Sequence, residues 1–245
     1  MCKLEVCCGS YYDALQAQYG GASRIELNSA LYLGGLTPSI GTLLQVKENT
    51  DLEVICMIRS RAGGFCYGEE DIETMLLDAE ILLDNGADGI AFGFLDEECG
   101  IDIDNTQKMV ELIHSYGKTA VFHRAFDCSV DVHEAIDILI RLGVDRVLTS
   151  GQQRNAIYGK DMIKYLQDCY GEYIEIMAGC GLNSENVIQF IEDTGVYQIH
   201  SSCKEWLIDP TACGAYGSFS YHDDEYEVVS FEQVEVMVEY VEDDD

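Results

Sequence analysis

One phrase recurs along the chain: a helical stretch ends at a glycine, a small or β-branched residue follows, and an apolar strand begins. It reads GGASRIEL from Gly20, GADGIAFG from Gly86, GVDRVLTSG from Gly143 and GVYQIHSS from Gly195. The glycine supplies the left-handed backbone conformation that commonly ends a helix. The phrases are spaced about twice as far apart as one strand–helix unit requires. Each interval therefore has room for a second strand and a second helix.

A second set of strands fills these intervals. It reads LEVCC from Leu4, EVICMIR from Glu53, TAVFHRAF from Thr119 and YIEIMAG from Tyr173. Helical patterns separate the strands at 10–19, 39–49, 69–85, 104–116, 131–142, 155–170 and 183–194. Ser230 and Gln233 have capping-box spacing, which predicts an eighth helix over 231–241.

Strict alternation of strands and helices indicates a parallel sheet. Eight such units in one domain, residues 1–245, predict an α/β fold of the (β/α)8 TIM-barrel type. A doubly wound open sheet is the alternative. That fold would favour a G-x-G-x-x-G turn after the first strand, where this chain reads CCGSYY.

The charge of the chain excludes several partners. There are 14 Lys and Arg against 45 Asp and Glu, a formal net charge of −31, which argues against nucleic acids and anionic membrane surfaces. We also expect no membrane span and no secretory signal in MCKLEVCCGS. The 11 cysteines form no C-x-x-C pair, which predicts free thiols in a reducing cytoplasm. Segment 205–245 lacks Lys and Arg, and we interpret it as a solvated acidic extension around the last helix.

The alternation within each strand predicts which side chains point into the barrel. The outward face must be apolar because helices cover it. The predicted inward residues are Glu5, Cys7, Arg24, Glu26, Asn28, Arg59, Arg61, His123, Gln198 and His200. We expect Glu5, Glu26, Arg59 and His123 to share one solvent-connected cavity at the C-terminal mouth, where barrel enzymes carry their chemistry. The alternative is a Glu/Arg network that only fills the lumen, since such charges are not buried unpaired.

The stretch FHRAFDCS contains the strongest catalytic candidates. His123 ends a strand and Asp127 follows it, and an imidazole near a carboxylate suits proton transfer or metal binding. Together with Glu5 and Glu26, these residues are the predicted acid/base groups. Arg59, Arg61, Arg124 and His200 are the predicted anion-binding side chains.

The loops after the seventh and eighth strands are a predicted anion site. Gly179 and Gly181 precede a helix that we expect to be capped near Asn183, and Ser201 and Ser202 follow the last strand. Backbone N–H groups and a helix N-terminus bind phosphate at this position in such barrels. The alternative is that the glycines only form the turn.

Seven motifs occur in order: LEVC at Leu4, GGASRIEL at Gly20, GGLTPS at Gly34, MIRSRAGGFCY at Met57, GADGIAFG at Gly86, FHRAFD at Phe122 and LTSGQ at Leu148. With them, the chain resembles the copper homeostasis protein CutC family over about residues 3–203. The resemblance implies a cytoplasmic TIM barrel, a homo-oligomer (dimer or tetramer) and a role in copper handling. It implies no settled enzymatic activity.

The chain departs from the family pattern where a metal would bind. Cys7 matches the cysteine of LEVC, but Asn28 stands where the family reads RIELC, so half of a Cu(I) cysteine pair would remain. Cu(I) prefers thiolate and thioether ligands, and Cys8, Met57 and the inward histidines are further candidates. The resemblance thus implies Cu(I) at Cys7. An enzyme acting on a small anionic substrate, bearing phosphate or carboxylate, is the alternative, and a purely structural role is the third.

Overall fold

The computed structural model describes residues 2–218 and 220–242 and contains a closed barrel of eight parallel strands. The strands are β1 (Lys3–Cys8), β2 (Arg24–Leu27), β3 (Glu53–Met57), β4 (Gly89–Phe92), β5 (Thr119–Phe122), β6 (Arg146–Thr149), β7 (Glu175–Gly179) and β8 (Gln198–Ser201). Each pairs with the next in chain order, and β8 closes on β1. The predicted TIM barrel is confirmed.

In the described part of the chain, the barrel is surrounded by eight α-helices: α1 (Tyr11–Tyr19), α2 (Ile40–Asn49), α3 (Glu69–Asp84), α4 (Ile103–Ser115), α5 (Val132–Leu142), α6 (Lys160–Tyr170), α7 (Val187–Thr194) and α8 (Phe231–Glu242). Two begin four or five residues later than predicted. Residues 156–159 form turns before α6, and Gly159 packs closely against the Ser150 carbonyl in the preceding loop. Residues 184–186 form a turn before α7, which therefore begins beyond Asn183. None of the helices in the described ranges has the length and apolar character needed to cross a bilayer.

The outward side chains of the strands form the main core. Leu4, Val6, Ile25 and Leu27 have no solvent exposure, as their alternation predicts. A second, smaller apolar cluster fills one side of the lumen and consists of Ile55, Met57, Ala91, Val121, Leu148 and Met177. The side at β1, β2 and β8 carries the buried polar residues Glu5, Arg24, Glu26, Gln198 and His200, and Arg146 reaches Glu5 from β6. The barrel interior therefore combines an apolar cluster with a buried group of charged residues.

The acidic segment is more ordered than the predicted solvated extension. β9 (Lys204–Ile208) and β12 (Glu225–Val229) form an antiparallel ribbon, and β10 (Cys213–Gly214) pairs with β11 (Gly217–Ser218) within it. Val229 N–H donates to Asp13 Oδ1 at 2.9 Å. Helix α8 buries Val234, Met237 and Val241 against the barrel. The segment thus supplies the eighth helix of the fold, while residues 243–245 lie outside the described part.

The predicted capping box at the start of α8 does not form. Gln233 Nε2 donates to the Lys204 carbonyl at 2.9 Å, and the Ser230 N–H donates to the Cys203 carbonyl at 2.9 Å. These bonds tie the helix start to the first residues after β8. The spacing therefore identified the helix correctly, but the tertiary bonds take the place of the local ones.

We expect Gly20→Ala to destabilise the protein, because Gly20 is where α1 meets α8. A Cβ there would lie 2.5 Å from Val234 Cβ and 2.7 Å from the Phe231 carbonyl oxygen. Overpacking of this kind costs about 1–3 kcal/mol of unfolding free energy. Urea unfolding of Gly20→Ala and of Gly64→Ala, where an added Cβ meets no atom within 4 Å, measures the difference. Equal stability of the two variants would mean that α8 does not pack firmly on α1.

Candidate functional site

A buried ion network lies beneath the barrel mouth. Glu5 Oε2 is 2.9 Å from Arg24 Nε and 3.8 Å from Arg146 Nη1, and all three side chains are buried. Arg24 Nη2 also donates to Gln198 Oε1 at 2.6 Å. Burial alone would raise the pKa of Glu5, but Arg24, His200 and Arg146 outweigh it and lower that pKa to about 2. Glu5 is therefore a fixed negative charge under the site.

Cys7, Glu26 and His200 converge above this network. One ligand atom from each, the sulfur, a carboxylate oxygen and an imidazole nitrogen, lies within 4.8 Å of the others. The Cys7 thiol donates to Glu26 Oε2 at 3.9 Å. Cys7 is on β1, Glu26 on β2 directly opposite it in the register, and His200 on β8. Neighbouring strands of the closed barrel thus bring together three residues that are far apart in sequence.

Glu5 orients His200. His200 Nδ1 is 2.9 Å from Glu5 Oε1, so Nδ1 carries a proton and donates it. The Cys7 thiol contacts the His200 side chain, and Nε2 is the ring nitrogen that Glu5 does not hold. Burial would lower the pKa of His200, but its contacts with Cys7 and Glu5 and the charge of Glu26 raise it well above the usual value. This is the arrangement in which a carboxylate positions a metal-binding histidine.

Asn28 lies beside the same group. Its Nδ2 is 2.8 Å from Glu26 Oε2 and 3.6 Å from Cys7 Sγ. Gly35 leaves the space that the Asn28 side chain occupies. Burial raises the pKa of Cys7, an effect that His200 opposes, and burial likewise raises the pKa of Glu26. Position 28 is thus next to the Cys7 sulfur, as the resemblance to the RIELC motif implies.

His123 lies on the opposite wall, since β5 is four strands away from β1 in the closed barrel. Its Nδ1 accepts a hydrogen bond from the Ala125 N–H at 3.1 Å. Burial, and then the charges of Arg59 and Arg124, lower the pKa of His123 to about 3. The ring is therefore neutral at ordinary pH, with its proton on Nε2.

A cavity of about 240 Å³ separates the two walls. It is lined by Cys7, Glu26, Asn28, Leu31, Gly34, Gly35, Met57, Arg59, Phe65, His123, Arg124, Leu148, His200, Ser202 and Glu227. Four residues were predicted to share a cavity, and three of them line this one: Glu26, Arg59 and His123. Glu5 lies one layer below, without solvent exposure, and reaches the cavity only through His200.

Two predicted site residues lie elsewhere. Arg61 is half-exposed, pairs with Asp71 of α3 at 2.8 Å and is not among the lining residues, because β3 ends at Met57 and strand alternation does not extend to position 61. Asp127 accepts hydrogen bonds from Arg124 Nε, Thr149 Oγ1 and the Ser150 and Gln152 N–H groups. Both of its oxygens hold the loop after β6. Neither residue is placed to act on a ligand in the cavity.

The predicted anion loops border a second cavity of about 500 Å³. Gly181, Asn183, Ser201 and Ser202 line it together with Arg124 and His200. The structure departs from the prediction in two respects. Gly179 is not a lining residue, since it packs against Leu148 and His200, and the Asn183 N–H is taken by Asn186 Oδ1 at 3.0 Å. The helix also begins only at Val187, so its N-terminus is set back from the loop.

Some lining residues were absent from the sequence prediction. Glu227 belongs to the ribbon, whose acidic sequence gave no sign that it reaches the mouth. Leu31, Gly34 and Gly35 belong to the loop after β2, and Phe65 to the loop after β3. The motifs GGLTPS and AGGFCY contain most of them. Glycine-rich loops after barrel strands could therefore have indicated these positions.

We expect the two buried histidines to titrate in opposite directions. His200, facing Glu5 and Glu26, should keep its charge well above pH 6.5, whereas His123, near Arg59, should stay neutral down to about pH 3. A two-bond ¹H–¹⁵N correlation spectrum recorded across this range measures both ring states. Titration of both rings between pH 6 and 7 would contradict the electrostatic asymmetry of the site.

Comparison with known proteins gives a consistent picture. The model of a family described as the CutC family matches residues 2–205. A family protein CutC of Treponema denticola is 47% identical over 209 residues, which cover 85% of this chain and 84% of that protein. One of Photorhabdus laumondii is 44% identical over 208 residues, covering 85% and 82%. A crystal structure from Streptococcus agalactiae, described as a proposed copper homeostasis protein CutC, has a TM-score of 0.77 at 30% identity and covers 82% of this chain and 99% of that one.

Proposed function

This chain belongs to the CutC family, and from that membership we propose that it handles copper in the cytoplasm by binding Cu(I) at the barrel mouth through Cys7 and His200. The convergence of a thiol, an imidazole nitrogen and a carboxylate oxygen within 4.8 Å supports the proposal. The copper role itself comes from the description of the Streptococcus agalactiae relative. The positions of Cys7 and His200 supply the ligand atoms, a sulfur and an imidazole nitrogen.

The donor atoms suit Cu(I). A thiolate sulfur and an imidazole nitrogen are ligands that this soft ion accepts, and the carboxylate of Glu26 is a harder, weaker ligand for it. Met57 lines the same cavity and offers a thioether. Glu5 holds His200 Nδ1, so Nε2 is the nitrogen left for the ion, and binding would displace the protons of the charged imidazole Nε2 and of the Cys7 thiol. Cys7 and His200 would therefore hold the ion, while Glu5 fixes the imidazole.

The wider setting supports a cytoplasmic protein. All eleven cysteines are free, and five of them are exposed: Cys66, Cys99, Cys128, Cys169 and Cys213. Exposed thiols persist in a reducing compartment. The net charge of −31 is unsuited to nucleic acids and anionic membranes. Following the family resemblance, we also propose a homo-oligomer, a dimer or tetramer, which sedimentation velocity would test.

Cys7→Ser is expected to weaken Cu(I) binding at least about 10-fold, the effect that follows even when only the partner of a metal ligand is lost. An anaerobic competition titration against a Cu(I) chelator measures it. Cys169→Ser, which removes an exposed thiol on α6, is the matched control and should bind like the wild type. Equal affinity of Cys7→Ser and the control would remove Cys7 from the copper site.

A second candidate function is an enzyme that acts on a small anionic substrate. The observation that favours it is the cavity, where the buried donors Arg59 and His123 face the carboxylate of Glu26 across the mouth. Glu26 would transfer a proton and Arg59 would hold the anion. Its test is a substrate screen with the metal-free protein. Turnover that survives Cys7→Ser would favour the enzyme, because copper binding would then be dispensable.

A further inference from the structure

We propose that the wall of the mouth cavity opposite Cys7 is a binding subsite for the carboxylate group of a small organic ligand, held by His123 Nε2 and Arg59 Nε. The inference deepens the second candidate function and rests on its premise of an anionic ligand. It is independent of copper, because His123 directly follows β5, which is four strands from the β1 residue Cys7.

His123 is a fixed hydrogen-bond donor. Its Nδ1 already accepts from the Ala125 N–H at 3.1 Å, so the proton of the neutral ring is on Nε2. The ring is only 3% exposed, and Nε2 has no hydrogen-bond partner in residues 2–218 and 220–242. Phe65 packs on it with ring centroids 5.1 Å apart, and a Cβ at Gly93 would lie 2.5 Å from His123 Cε1. The ring therefore has little freedom to turn elsewhere.

Arg59 supplies a second donor and a positive charge. Its Nη1 donates to the carbonyls of Leu33 and Gly35 at 3.0 and 3.2 Å, and Nη2 donates to the Gly63 carbonyl at 2.6 Å. These bonds fix the guanidinium at the mouth. Within the described part of the chain, Nε has no hydrogen-bond partner of good geometry, although the side chain lies beside the Tyr67 hydroxyl, and the residue is 5% exposed. Its guanidinium carbon is 5.2 Å from the centre of the same Phe65 ring that packs on His123.

Two fixed N–H donors beside a permanent positive charge select for an anionic acceptor. A cation would be repelled by Arg59, and a neutral oxygen would leave its charge uncompensated. A carboxylate offers two oxygens, and hydrogen bonds to an ionised acceptor are roughly twice as strong as neutral ones. Met57, Phe65 and Leu148 give the cavity apolar walls for the carbon part of a ligand. The volume of about 240 Å³ restricts that ligand to a small acid.

The test is an NMR titration of ¹⁵N-histidine-labelled protein with sodium acetate, using sodium chloride and acetamide as matched controls. We expect a saturable change in the His123 Nε2 resonance with acetate and none with either control. His123→Leu, which removes the donor and keeps the bulk, should lower acetate affinity about 10-fold or more, as expected for loss of a hydrogen bond to a charged group. His123→Gln retains an N–H donor and should restore part of that affinity.

Several outcomes would overturn the subsite. A change at Nε2 that chloride or acetamide reproduces, or one that never saturates, would show no carboxylate selectivity. Unchanged acetate affinity in His123→Leu would exclude His123 as the donor, and if this variant does not fold, the wild-type titration alone decides. Saturable acetate binding without turnover of any carboxylate would retain the subsite and reject the enzyme. Turnover that persists in His123→Leu would retain the enzyme and reject the subsite.

Discussion

Asn28→Cys is expected to bind Cu(I) roughly 100-fold more tightly than the wild type, a gain of about 2.8 kcal/mol in binding free energy. Asn28 Nδ2 is 3.6 Å from Cys7 Sγ, so a thiol at position 28 would face the existing one across neighbouring strands. A second thiolate suits Cu(I) because soft ligands dominate its affinity. The Asn28 amide that is lost donates to Glu26 and Cys7, and it does not contribute a ligand atom to Cu(I).

The control for this variant is the double substitution Asn28→Cys with Cys7→Ser, which again leaves one thiol at the mouth. Its Cu(I) affinity should fall back close to that of the wild type. The same anaerobic chelator competition measures all three proteins. If Asn28→Cys binds no more tightly than the wild type, positions 7 and 28 do not form a common metal site.

Arg24→Met is expected to destabilise the barrel by about 3–5 kcal/mol, the cost of removing one partner of a buried ion pair, because Arg146 and His200 compensate the Glu5 charge only in part. Arg24 has no solvent exposure and its Nε lies 2.9 Å from Glu5 Oε2. The methionine would also leave Gln198 Oε1 without the donor that it has at 2.6 Å. Urea unfolding measures the loss. Lys164→Met, which removes an exposed ion pair with Asp168, is the control and should change stability by less than about 0.5 kcal/mol.

The pH dependence of stability gives a second readout of the same pair. The pKa of Glu5 is lowered from 4.5 to about 2, so its contribution is complete above pH 4.5 and is lost as the pH falls towards about 2. Without Arg24 the folded-state pKa of Glu5 should rise, and the variant should lose less stability over that window. Parallel stability curves for the wild type and Arg24→Met between pH 5 and 2 would show that the two residues are not coupled.

The sequence predicted the barrel well because local features determine its strands. The strands have an outward apolar face, such as that of Leu4 and Val6, and four of them also follow a glycine that ends the preceding helix. The same alternation placed Glu5 and Glu26 inside the barrel. It failed for Arg61, because β3 ends at Met57 and the chain then turns towards α3. Side-chain direction in a loop depends on tertiary contacts that no periodicity records.

The pairing of the ribbon strands and the contacts of the site residues could be identified only from the structure. Lys204–Ile208 and Glu225–Val229 pair across 16 intervening residues, and nothing local in the acidic sequence identifies either as the partner of the other. The sequence made Asp127 a reasonable acid/base candidate. In the structure, both of its carboxylate oxygens accept hydrogen bonds from residues at the end of β6 and in the loop after it. The pairing of His200 with Glu5 and Cys7 arises because β8 closes on β1, a contact between the two ends of the barrel that local patterns do not contain.

The central claim is that Cu(I) binds at the mouth through one sulfur and one imidazole nitrogen. X-ray absorption spectroscopy of the protein loaded anaerobically with one equivalent of Cu(I) tests it most directly. We expect one sulfur and at least one nitrogen neighbour, from Cys7 and His200, and loss of the sulfur contribution in Cys7→Ser. A spectrum with two or more sulfur neighbours and no nitrogen, unchanged in Cys7→Ser, would place the copper on the other thiols and contradict the account.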